Sequence, residues 1–182
     1  MPKHYKSAHS RQVASTEHIT IHCCVSGSGS TLPPMIIFKK SFPGGPYSKD
    51  GPDQALYGHQ KSGFMDSELF VSWMKKLFIP KVKPTAEKPV LLLLDGHVSH
   101  CSIPLIDVAK ENHVILLALA PHMTHLCQPC DVSVFKGFKA EVTKLIKGAQ
   151  TVQGNLFVSK RNVPRMIKGP FEKAMDHIKN GF

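Results

Sequence analysis

The run Pro89-Val90-Leu91-Leu92-Leu93-Leu94-Asp95-Gly96 limits the possible folds more than any other segment. Its apolar residues do not alternate with polar ones. A strand buried on both faces reads this way, which points to the interior of a partly parallel sheet. Periodicity alone would also allow a helical segment, but the short length and the Asp95-Gly96 break favour a strand. Ser102 is placed to cap a helix from Ile103 to about Asn112, and a further strand is expected at His113 to Leu119. Strand–helix–strand order implies a right-handed crossover with helices covering the sheet. The expected class is therefore α/β.

Upstream, His18 to Val25 alternates and is rich in β-branched residues, so it reads as a strand. Gly27-Ser28-Gly29-Ser30 follows as a hairpin turn, and Leu32 to Phe38 as the returning strand, irregular at Pro33-Pro34. Lys39 to Gly63 holds five glycines and three prolines and reads as a long excursion, with a short strand near Ala55 to Tyr57. Asp66 predicts the cap of a helix ending near Phe78, with Pro80 and Pro84 as its stops. Leu69, Phe70, Trp73, Met74, Leu77 and Phe78 form its apolar stripe, with Trp73 as core anchor. Asp131 predicts the start of another helix, whose Val134, Phe135, Phe138, Val142 and Leu145 share a face and which Gly148 stops. A last helix is expected from Pro170 to about Lys179. The expected division is a basic arm over 1–15, a central domain over 16–150, and a basic tail with a short helix over 151–182.

Charge narrows the partners. The 182 residues include 23 Lys and Arg against 13 Asp and Glu, a formal net charge of +10, so polyanions are natural partners. The longest apolar run falls far short of the ~20 residues of a membrane span, and no membrane is expected as a partner. The start MPKHYKSAHS lacks the apolar core of a secretory leader. Five cysteines leave at least one outside any intramolecular pairing, which fits a reducing compartment.

The candidate chemistry lies at strand ends. Ligands in open α/β sheets gather at the carboxyl ends of strands, and Asp95 follows the apolar strand directly. Asp131 lies 36 positions later, at the mouth of a helix. If both elements begin from one sheet edge, the two carboxylates converge on a divalent cation, and hard oxygen ligands suit magnesium or manganese. Phosphodiester chemistry uses such pairs, with two metals about 3.5–4 Å apart. The alternative is that both aspartates merely cap local backbone groups.

Two segments resemble one family. Leu91-Leu-Leu-Leu-Asp-Gly-His-Val-Ser-His100 resembles the second catalytic-aspartate motif of the pogo/Tigger/jerky group of DDE-superfamily endonucleases. Leu119-Ala-Pro-His-Met-Thr-His-Leu-Cys-Gln-Pro-Cys-Asp131, with Val-Ser-Val-Phe-Lys-Gly-Phe-Lys139 after it, resembles the third-carboxylate motif and its helix. Ile19 to Cys24, Gly29 to Phe38 and Met65 to Phe70 are similar in the same order. The resemblance implies an RNase H-like mixed sheet flanked by helices, and a transposase ancestry. It also implies double-stranded DNA as partner, Mg2+ or Mn2+ as cofactor, the nucleus as compartment, and cleavage and joining of DNA strands in intact relatives. Asp95 would match the second acidic ligand and Asp131 the third.

The family's first aspartate, on the opening sheet strand, has no match here: nothing before Glu17 is acidic, and Asp50 and Asp53 fall in the glycine-rich excursion. The domain is thus expected to be N-terminally truncated and impaired in catalysis, because losing an essential electrostatic group costs several kcal/mol of transition-state stabilisation. A catalytically silent DNA-binding or protein-interaction module is the alternative. His97, His100 and Gln128 are candidates to orient the aspartates or a phosphate, against a purely structural role. Lys39, Lys40, Lys136 and Lys139 are candidate DNA-backbone contacts, against a solvated face. His122, His125, Cys127 and Cys130 invite zinc, but they are crowded into nine residues, so cleft-lining or buried thiols are the competing reading. A homo-oligomer remains open.

Overall fold

A computed structural model describes residues 18–95, 102–119, 135–153 and 159–179. Strand β1 (Ile19–His22) pairs antiparallel with β2 (Met35–Lys39), Ile19 lying opposite Phe38 and His22 opposite Met35. The turn between them closes where the Gly29 N–H donates to the Ser26 carbonyl at 3.0 Å. Gly29 sits at φ 82, a conformation glycine adopts without a Cβ penalty. Strand β3 (Leu56–Gln60) pairs parallel with β2 on its other side, Met35 beside Leu56. The short strand expected near Ala55 thus exists, one residue later and longer. These three strands form a mixed sheet in the order β1-β2-β3.

The excursion from β2 to β3 is held by aromatic rings rather than by a helix. Phe38 meets Tyr47 edge-on at 5.5 Å, and Tyr57 lies parallel to Phe38 at 6.4 Å. The Tyr57 hydroxyl is buried there with no hydrogen-bond partner among the described residues. Burial, with Tyr47 beside it, pushes its pKa above the ordinary tyrosine value. A raised folded-state pKa means this group's contribution is fully present below the unfolded pKa and is lost as pH rises through the folded one. Tyr57→Phe is therefore expected to gain about 1 kcal/mol at neutral pH, because it removes an unsatisfied hydroxyl. It should also flatten the loss of stability above pH ~10. Urea midpoints of both proteins at neutral and alkaline pH test this, and an unchanged or lower midpoint for the variant refutes it.

Helix α1 (Ser67–Trp73) starts as expected: the Asp66 carboxylate accepts from the Leu69 N–H at 2.9 Å. The chain then widens into a π-helical stretch, Met74–Phe78, and continues as α2 (Ile79–Val82). Pro80 does not end the helix. It stands in the first turn of α2, where its missing N–H costs little, and the wider turn before it takes up the break in the hydrogen-bond ladder. The stop is at Lys83, which adopts the left-handed conformation at φ 53.

Strand β4 (Val90–Leu94) leads through α3 (Ile103–Glu111) to β5 (Val114–Ala118), and the strands pair in parallel from Val90–Val114 to Leu94–Ala118. Ser102 occupies the cap position of α3, but its side chain makes no capping bond and its hydroxyl is buried without a partner among the described residues. The expectation of a strand buried on both faces needs correcting. Leu92 and Leu94 are in the core, whereas Leu91 and Leu93 on the opposite face are 54% and 49% exposed. The lack of alternation reflects apolar residues on both faces, only one of which is covered by described residues.

Helix α4 (Phe135–Gln153) runs through Gly148, correcting the expected stop there. Mid-helix glycine costs only about 1 kcal/mol against alanine. After a 3-10 turn (Lys160–Asn162), α5 (Val163–Lys179) begins seven residues before the expected Pro170, which lies inside it.

The core has two parts, one on each side of β2. Met35 and Ile37 pack with α1, α3, Leu92, Leu94 and Val114, while Ile36 and Phe38 pack with Phe138 of α4 and Ile167, Phe171 and Met175 of α5. Trp73 is 1% exposed, in the core as expected.

Candidate functional site

Parallel pairing brings the carboxyl ends of β4 and β5 to one edge, where the Leu119 N–H donates to the Leu94 carbonyl at 2.8 Å. Asp95 follows directly and is exposed. It lines a cleft of about 670 Å³ that also takes in Leu119, the whole of β4, and His22 to Val25 at the end of β1. Asp95 thus stands at the carboxyl end of β4, next to the strand-end cleft.

The floor of the cleft comes from α1 and its π-helical extension: Phe70, Trp73 and Phe78 line it. His22 meets Trp73 edge-on, ring centroids 4.6 Å apart, and Phe70 at 5.7 Å. Sequence reasoning placed Trp73 in the core but did not connect it, or His22 and Cys24, with the cleft. The signal available was the alternation of β1, which puts His22 and Cys24 on the same face. Lys81 lines the cleft as well.

A carboxylate at this position has the donor chemistry of a hard divalent cation. Among the described residues, however, no group of three or more His, Cys, Asp or Glu side chains is placed to hold a metal ion. Asp131, His97, His100, Gln128 and the His122, His125, Cys127 and Cys130 cluster lie outside the described residues. Of the candidate DNA contacts, Lys39 ends β2 half-buried and Lys40 follows it, exposed, at φ 68. Lys139 is exposed on α4. Lys136 belongs to the same helix, but its side chain lies outside the described residues.

The fold agrees with what the family comparison finds. The family model described as DDE superfamily endonuclease matches residues 16–172, most of the chain. The chain belongs to the DDE superfamily endonuclease family. Its match takes in every strand of both sheets and reaches into α5. A curated protein from Cochliobolus lunatus named "MFS-type transporter clz9" is 28% identical over 141 residues, which is 75% of this chain and 15% of that protein. The chain thus spans less than a sixth of the length of that relative. No described helix is long and apolar enough to cross a membrane. No solved structure matches. The observed mixed sheet with flanking helices is consistent with this DDE membership.

Proposed function

We propose that this domain is an RNase H-like, pogo/Tigger-type member of the DDE family that binds double-stranded DNA in the nucleus. On this reading Asp95 and Asp131 would hold Mg2+ or Mn2+. The observation that carries the reading is the position of Asp95, exposed at the carboxyl end of a parallel strand and at the mouth of the cleft. A bound divalent cation would supply positive charge to a phosphodiester group. The chain's own part is to fix that charge at the end of β4, while its basic surface holds the DNA backbone. His97, His100 and Gln128 would orient the aspartates or a phosphate. The described residues bring no metal-binding triad to Asp95, and the sequence offers no match for the first of the family's three carboxylates. On this reading the chain by itself is impaired in strand cleavage and transfer, and DNA retention is its main residual activity.

Incubating the protein with labelled supercoiled DNA and Mg2+ or Mn2+, beside Asp95→Asn and Asp131→Asn, tests this reading. The expected outcome is retention of DNA by all three proteins, with nicking near the buffer background. Metal-dependent nicking that both substitutions abolish would show that two carboxylates suffice, overturning the impairment. Absence of DNA retention at about 50 mM salt, where phosphate contacts bind strongly, would overturn the DNA-binding reading and favour the protein-interaction alternative.

A further inference from the structure

The chain leaves β2 through a three-residue turn, in which the Ser41 N–H donates to the Lys39 carbonyl at 2.9 Å with Lys40 at φ 68. Turns of this hand are rare and strained. This one sets Phe42 beside β3. The Phe42 ring lies parallel to Tyr47 at 5.5 Å, meets the exposed His59 edge-on at 4.6 Å, and stays 40% exposed. An apolar ring fixed by two neighbours yet open to solvent can stack a further flat ring.

A second flat group stands in the same loop. A Cβ on Gly45 would lie 3.0 Å from Arg161 Cζ and 3.3 Å from both Nε and Nη2. The central carbon is the nearest atom, so the flat face of the guanidinium rests on the Gly44-Gly45 turn. Glycine, at φ 75, leaves the room for it. Arg161 is exposed, and among the described residues nothing accepts a hydrogen bond from its side chain. Phe42 and Gly45 are three residues apart, so at most about 11 Å separates their backbones.

We propose that Phe42 and Arg161 bind unpaired nucleotides of a single-stranded nucleic acid, a base stacking on the Phe42 ring while a neighbouring phosphate meets the N–H edge of Arg161. Charge selects this occupant. Arg161, Lys40 and Lys49 are exposed around the ring and repel the cationic ligands that aromatic cages take. Asp50 is exposed on the same loop but outnumbered, and Asp53 is taken up by Lys168 at 2.8 Å. A ligand both aromatic and anionic satisfies ring and cations together, as on other single-strand platforms. Duplex DNA keeps its bases in the helical stack, so it reaches the cations but not the ring. The inference goes beyond the proposed duplex binding and stands without it.

Fluorescence anisotropy of the full chain with a labelled oligothymidylate, an abasic strand of equal length and a blunt duplex tests this. The abasic strand keeps every phosphate and lacks the rings. The oligothymidylate is expected to bind roughly tenfold more tightly than the abasic strand. Phe42→Leu keeps an apolar side chain against Tyr47 but has no flat face, so it should erase that difference and leave abasic and duplex affinities unchanged. Phe64→Leu, at a more exposed ring on the turn after β3, should change nothing. Arg161→Ala should weaken both single strands and lower their salt slope by about 0.7. An oligouridylate in the same assay reads whether ribose or deoxyribose is preferred. Equal binding of the oligothymidylate and abasic strands, a difference that survives Phe42→Leu, or an equal loss in Phe64→Leu overturns the proposal. Absence of duplex binding alone overturns only the duplex reading, because the single-strand ratio is measured separately.

Discussion

Trp73→Ala is expected to lose about 3–5 kcal/mol of stability, the range for removing a buried large aromatic ring. The ring is 1% exposed and lies between neighbours that cannot easily close in behind it. His22 stands on one side at 4.6 Å, and Phe70 and Phe78 are each 5.2 Å away. Phe70 sits on the same helix and Phe78 in the π-helical stretch, so the backbone fixes their separation. Deleting the indole would enlarge a cleft already about 670 Å³ in volume. Since domains are stable by only about 5–15 kcal/mol, this substitution alone removes a large share of the stability of the fold. Trp73→Phe should cost far less, because it keeps most of the apolar volume and removes an N–H that has no described partner. Urea unfolding followed by circular dichroism measures both. A loss below about 1 kcal/mol for the alanine variant would show that the wall relaxes freely and that Trp73 does not anchor it.

Sequence reading succeeded where local chemistry and tertiary context agree. β4 and the Asp66 cap were legible because a run bounded by Asp-Gly, and a carboxylate before an apolar stripe, each have few alternatives. The errors in helix ends have one origin. Proline and glycine were read as absolute punctuation, yet their costs depend on position. Pro80 stands in the first turn of α2, and Pro170 lies inside a helix whose Ile167, Phe171 and Met175 are held in the core. Pro164, just after Val163, is the better start signal for α5 because a first-turn proline loses no hydrogen bond. The exposed face of β4 was not legible at all, since leucine looks the same in sequence whether or not something covers it. The strand-end position of Asp95 was readable from its place after an apolar strand. The cleft was not, because His22 and Trp73 meet only through the packing of β1 against α1.

Salt should release DNA from this protein steeply. Each lysine that contacts a phosphate adds about 0.9 to the slope of log affinity against log salt, because binding frees condensed counterions. With a net charge of +10, an interface of 6–10 such contacts is within reach, and raising salt from about 50 to 200 mM would then weaken binding by roughly 10³–10⁵. Lys39, Lys40 and Lys139 make the test specific. Lys40 and Lys139 are exposed, and Lys39 lies half-buried at the end of β2. Replacing all three with alanine should therefore preserve the fold and lower the slope by about 2–3. Because phosphate contacts carry no sequence information, the loss should be the same for unrelated duplexes. Fluorescence anisotropy with two unrelated labelled duplexes across a salt series supplies both numbers. A slope unchanged by the triple substitution would remove these lysines from the interface and leave the DNA-binding charge elsewhere on the surface. Lowered affinity with the slope intact would instead mean that the substitutions act through the fold, which the circular dichroism of the variant would reveal.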